Sequence, residues 1–86
     1  MFFLRRKSFK RMSITSSEFE YLVEGIVKDI TILLMNEYDI EALKALDIVY
    51  TSRTFKSLKD PSTGLYFQSS GYVFEILKEE LKEIEN

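Results

Sequence analysis

Apolar residues recur every three or four positions from Phe19 through Leu22, Val23, Ile26, Val27, Ile30 and Leu33 to Leu34. Such positions line up along one side of an α-helix, so this run predicts a helix over about 18–36. In a chain of 86 residues, a helix that long leaves room for only a few further elements, which must cover its apolar stripe. Its middle, Ile30-Thr31-Ile32-Leu33-Leu34-Met35, is apolar around much of the circumference, which implies burial on more than one side. Gly25 interrupts the run at a cost of about 1 kcal/mol relative to Ala. It admits either a close helix crossing or no structural purpose at all.

The remaining segments follow from capping and turn chemistry. Ser17 with Glu20 three residues later matches a capping box. Asp39 is a good N-cap and Glu41 suits a first turn, so a second helix is expected over 40–51, with Leu43, Leu46, Val49 and Tyr50 on one face. Ser52 caps a short third helix over 53–59, which carries Phe55 and Leu58. Asp60-Pro61-Ser62-Thr63-Gly64 reads as a type I turn. Leu65-Tyr66-Phe67 reads as a brief extended piece, too short for a sheet. Ser69-Ser70-Gly71 leads into a final helix over 71–85 with Tyr72, Val73, Ile76, Leu77, Leu81 and Ile84 inward. Its outer face carries the pairs Glu75–Lys78 and Glu79–Lys82. The expected fold class is all-α, a small bundle of three main helices plus one short helix and an irregular turn segment. Residues 13–86 form a single helical domain.

Composition narrows the chemistry. Hydrophobic residues make up 45% of the chain, enough to exclude a disordered composition. The chain has no Cys, which excludes disulfides and thiolate metal sites. It has no His, which removes the commonest general base and transition-metal ligand. The apolar runs are too short to span a bilayer. A short chain buries a small share of its surface, so a partner or a second copy could complete the core.

The net charge of −2 conceals an asymmetry. Residues 1–12 carry Arg5, Arg6, Lys7, Lys10 and Arg11 and no acid, whereas from Ser13 onward 7 Lys and Arg stand against 14 Asp and Glu. The acidic body repels nucleic-acid phosphates, which counts against nucleic acid as a partner of the domain itself. The basic leader is not expected to be a secretory signal, because its apolar residues precede the charges and no apolar stretch follows. Three readings of it stay open. Basic residues interleaved with Phe2, Phe3 and Phe9 suit a nucleic-acid or membrane-surface arm. Met12 opens Met-Ser-Ile-Thr-Ser-Ser-Glu-Phe-Glu, so the leader also fits a mis-called start. The third reading is a solvated, disordered tail.

Tyr50-Thr51-Ser52-Arg53-Thr54-Phe55, then Leu58, Asp60-Pro61, Thr63-Gly64-Leu65-Tyr66, Gln68-Ser69, Tyr72-Val73 and Leu77-Lys78-Glu79-Glu80-Leu81 form a recognisable series. It resembles a group of short bacterial all-helical proteins known only as a domain of unknown function. They share a Tyr-x-Ser-x-x-Phe stretch, a Gly-Leu-Tyr turn and a closing acidic helix. Some similar small proteins are encoded beside toxin-like enzymes, so the resemblance implies a neutralising or regulatory role. It supplies no catalytic residues, and fold likeness alone does not carry function.

Other constellations are weaker. Ser52 and Ser57 near Lys56 and Lys59 are better explained by capping and solvated charge than by nucleophilic catalysis. The acids spread over helix surfaces without calcium-loop spacing. Gly64 and Gly71 are too isolated to cradle a phosphate. No cofactor, metal or catalytic residue is expected. Arg53, Lys56 and Lys59, at spacings of three, share an exposed side of the short helix. Tyr66, Phe67 and Tyr72 gather around the turn. Aromatics and Arg are the usual anchors of interfaces, and these six residues are the candidate interaction surface. The expected function is a cytoplasmic, non-enzymatic protein-interaction or regulatory domain, antitoxin-like, with a protein partner or a homodimer. The alternative is a nucleic-acid-binding regulator that uses the leader and the 53–59 helix.

Overall fold

A computed structural model describes residues 14–85, and the readings of the basic leader concern residues outside that range. The fold is all-α. Its helices are α1 (Ser16–Tyr38), α2 (Ala42–Tyr50), α3 (Arg53–Leu58) and α4 (Ser70–Glu85). Two single-turn 3₁₀ helices, Pro61–Thr63 and Leu65–Phe67, link α3 to α4. Among the described residues there is no strand.

The capping box of α1 sits two residues earlier than expected. Thr15 Oγ1 accepts from Glu18 N at 3.1 Å, and Glu18 Oε1 accepts from Thr15 N at 3.0 Å. Both Thr15…Glu18 and Ser17…Glu20 have the right spacing. The earlier pair starts the helix about half a turn sooner, at Ser16. The Thr15 backbone bond, then the Thr15 side-chain bond, hold the Glu18 carboxyl below its usual range.

Asp39 ends α1 rather than starting α2. Its φ of 54° and ψ of 53° are left-handed, and its N–H donates to Met35 O. Reversing the chain within three residues requires such a stop, and Asp tolerates the conformation better than most residues. Glu41 is the N-cap of α2 and makes no side-chain cap bond. Ser52 caps α3 as expected, with Oγ accepting from Phe55 N at 3.0 Å and donating to Val49 O at 2.6 Å. It is buried, so Ser52→Ala strands a backbone donor. The expected loss is about 1–2 kcal/mol in urea unfolding.

Leu65-Tyr66-Phe67 is a 3₁₀ turn, not an extended piece. Gly64, at a φ of 72°, starts it, and only a residue without Cβ takes that conformation freely. Asp60 Oδ1 accepts from Ser62 N and Ser62 Oγ, and Thr63 Oγ1 donates to Ser57 O at 2.6 Å. Two consecutive tight turns keep Tyr66 inward, where a strand would alternate its side chains.

The core lies where the four helices meet. Ile30, Leu34, Val49, Leu58, Val73 and Leu77 are fully buried there. Two faces are rotated from those expected. On α2, Ala45 and Val49 are buried, whereas Leu43 is 79% and Tyr50 52% exposed. On α4, Phe74 and Glu80 are buried with Val73 and Leu77, whereas Tyr72 is 53% and Ile84 69% exposed. The short connections and the partners of each helix set this rotation, and the apolar spacing alone leaves it free. Both surface pairs on α4 form, Lys78–Glu75 at 3.3 Å and Lys82–Glu79 at 3.6 Å. α4 is also tied to α1, by Ser70 Oγ donating to Asp29 at 2.7 Å and by Lys78 near Glu37 at 3.9 Å.

Gly25 lies inside α1, and a Cβ built there meets nothing within 4 Å. No contact within the described residues requires the glycine. Gly25→Ala is therefore expected to raise stability by about 1 kcal/mol. An unchanged or lowered melting temperature would contradict this.

Candidate functional site

The six candidate residues differ in burial and in the partners they engage. Arg53 opens α3 and is held by α4: its Nη2 donates to Glu83 Oε1 at 3.0 Å, and its Nε lies 3.7 Å from Glu80 Oε2. The bond to Glu83 and the charges of both acids raise its pKa further. Lys56 and Lys59 make no ion pair among the described residues. Lys59 Nζ sits 5.0 Å from the centre of the Phe55 ring, within reach of the ring's negative face.

The aromatics divide as well. Tyr66 is half-buried, its ring edge-on to Phe19 at 4.9 Å and stacked on Phe67 at 4.3 Å. Phe67 is 70% exposed. Tyr72 points outward from the first turn of α4. Tyr66 therefore serves packing, while Phe67 and Tyr72 remain open to contact.

Glu80 lies beneath Arg53 and is only 8% exposed. Its Oε2 accepts from Arg53 N at 2.8 Å, and its Oε1 accepts from Thr54 N at 2.9 Å and Thr54 Oγ1 at 2.7 Å. These backbone donors belong to the first turn of α3, which has no intrahelical partner for them. Glu80 thus caps α3 from another helix, while Ser52 takes the third donor. Burial opposes ionisation of Glu80, but the bonds from Arg53 and Thr54 and the Arg53 charge outweigh it and hold the carboxyl below its usual range.

The Ser52 cap has a second consequence. It turns the chain so that Tyr50 and Phe55 meet edge-to-face at 4.9 Å. This accounts physically for the Tyr-x-Ser-x-x-Phe spacing. The pair forms one wall of an open groove of about 670 Å³, with Lys59 and Pro61 beside it. The first half of α1 forms the other wall, through Phe19, Val23 and Val27, and Ile14 lies at its edge. Glu20 and Glu24, one turn apart, also line it. Neither acid forms an ion pair among the described residues. The part of α1 that lines the groove, from Ser16 to Val27, spans roughly 17 Å at the rise of a helix. That length fits a peptide segment better than a compact small molecule.

No protein-family model, curated protein or solved structure matches this chain. The groove and the surface around it therefore carry the functional argument alone. Among the described residues, no three acidic side chains come together to hold a metal ion, and no helix is long and apolar enough to cross a membrane.

Sequence reasoning missed the groove because its residues lie in three separate segments. Phe19, Val23 and Val27 read as core spacing, and Tyr50 as part of the inward face of the second helix. The usable signal was the aromatic pair flanking a capping serine. Phe19 joins the groove to the aromatic turn, since it lines the first and packs on Tyr66 of the second. A second apolar area, on the outer side of α1, includes Tyr21, 78% exposed, and Ile32, 47% exposed.

Proposed function

We propose that this chain is a non-enzymatic interaction domain of the cytoplasm, a small regulatory partner of the antitoxin-like kind. It binds a basic, aromatic-bearing segment of another protein in the groove between α1 and the α2–α3 corner. The observation that carries the reading is the pairing of apolar groove walls with Glu20 and Glu24. The half-buried Phe19 and Phe55 and the exposed Tyr50 offer area to bury, and the acids favour cations beside them. The excess of acids from Ser13 onward steers such a partner toward the domain. Arg53, one of the three α3 cations of the alternative DNA-binding reading, is engaged by Glu80 and Glu83, which weakens that reading.

The test uses the chain beginning at Met12 as bait, beside the double variant Glu20→Lys/Glu24→Lys. Both positions are exposed, so the fold is expected to survive. A partner held by the parent is expected to bind the variant at least about tenfold more weakly, with the difference shrinking as salt rises. Equal binding by both forms would refute the groove reading. Steeply salt-dependent DNA binding lost on deleting residues 1–11 would establish the nucleic-acid alternative instead.

A further inference from the structure

We infer that a second copy of this chain packs on the outer face of α1, forming a parallel two-fold pair of helices centred on Gly25. Gly25 and Ile32, seven residues apart, lie along the middle of that face, opposite the buried stripe of Val23, Val27, Ile30 and Leu34. Tyr21 and Leu22 straddle the same line, one to each side, and Lys28 and Asp29 straddle it again one heptad later. All six of these residues are exposed. They line one open depression of about 850 Å³, bordered by Ala42 and Leu46 of α2 and by Ser70 of α4.

Symmetry makes this face its own complement. In a parallel two-fold pair, residues on the middle line meet their own copies, and residues on one side of it meet those on the other side. Lys28 of each copy then faces Asp29 of the other, and Tyr21 faces Leu22, each contact being made twice. Lys28 and Asp29 form no ion pair among the described residues. Asp29 Oδ2 accepts from Ser70 Oγ, which leaves the other oxygen for a cation. An antiparallel pair that sets Ile32 against Gly25 brings Lys28 beside Lys28 and Asp29 beside Asp29, so charge selects the parallel one. Gly25 lets the two backbones approach, and nothing in its own chain fills the space above it. Glu18, one heptad earlier, is the like-charged residue on the line, and its Oε1 is turned back to accept from Thr15 N. From Tyr21 to Ile32 the face is about 17 Å long. One such helix face falls short of the ~800 Å² per partner of a stable interface, so the dimer is weak, with a Kd on the order of 100 μM. At dilution, the stability of a variant on this face is that of the monomer. None of the six residues lines the groove between α1 and the α2–α3 corner, so the dimer does not rest on the function proposed above.

The test is sedimentation equilibrium of the full chain, from about tenfold below to about tenfold above that Kd. The parent is expected to pass from monomer to dimer. Lys28→Glu and Asp29→Lys each set like charges together and are expected to weaken the dimer at least about tenfold. The double variant Lys28→Glu/Asp29→Lys restores it, and so does mixing the two single variants. Gly25→Gln blocks the close approach and also loses the dimer, while circular dichroism shows the fold kept. The chain has no Cys, so oxidation of Gly25→Cys reports orientation. A disulfide-linked dimer is expected there, and none from Leu43→Cys, which is exposed on α2. If Asp29→Lys unfolds through loss of the Ser70 bond, Lys28→Glu and Gly25→Gln decide the outcome by themselves. A monomer at every concentration would overturn the inference. A dimer that Lys28→Glu and Gly25→Gln leave intact would overturn it too. So would a dimer lost only in Glu20→Lys/Glu24→Lys, which would put the second copy in the groove.

Discussion

Leu34→Ala is expected to lower the unfolding free energy by about 2–5 kcal/mol. Leu34 has no exposed surface and sits among the buried side chains of the core. Truncation removes the transfer free energy of the lost methyl and methylene groups and leaves a cavity that rigid helices fill only in part. A domain of this length has a total stability of about 4–11 kcal/mol. The variant therefore loses a large share of it and is expected to unfold well below the parent in urea. Ile32→Ala, on the same helix but 47% exposed, serves as the control. It is expected to change stability by less than about 1 kcal/mol. Similar costs at both positions would mean that α1 does not present the face described.

Glu80→Ala is expected to cost about 2–4 kcal/mol, because it leaves Arg53 N, Thr54 N and Thr54 Oγ1 without their acceptor in a buried site. Glu80→Gln keeps one acceptor oxygen and the side-chain volume, so it is expected to cost roughly half as much. Arg53→Ala separates capping from ion pairing. Its side chain is 68% exposed, and an exposed pair is worth at most about 1 kcal/mol. If Arg53→Ala proved as damaging as Glu80→Ala, the charge pair rather than the cap would hold α3 to α4.

The same carboxylate gives stability a dependence on pH. Its folded pKa lies below the ordinary 4.5, so the native state favours the ionised form. The contribution is complete above the unfolded value and disappears as pH falls through the folded one. The parent is therefore expected to lose stability below about pH 4.5, and Glu80→Gln to lose less over that interval. Parallel acid limbs for the two proteins in urea titrations would contradict this.

The division between local and tertiary control runs through particular residues. The three-and-four spacing from Phe19 to Leu34, the Ser52 cap, the Pro61–Gly64 turn and the outer pairs of α4 all depend on neighbours within a few positions. Their energetics are local, so the order of neighbouring residues sets them, together with the all-α class. Thr15 and Ser17 have the same capping spacing in sequence, and the cap that forms is Thr15. Asp39 carried the signature of a helix start, but the α1–α2 reversal needed a left-handed stop at that position. Leu43 and Ile84 had the spacing of core residues, yet the rotations of α2 and α4 expose them.

Glu80 is the clearest case. A glutamate in a charged helix reads as solvated, because hydropathy records what a side chain prefers in isolation. Its burial becomes favourable only when the first turn of α3, 26 and 27 residues away, supplies donors. The groove arises in the same way, from Phe19, Tyr50 and Phe55 brought together by the packing of their helices. Periodicity and capping chemistry determined which segments are helical. Packing sets how each helix is rotated, and with it which polar groups are satisfied and where a groove opens, because those outcomes depend on partners far along the chain.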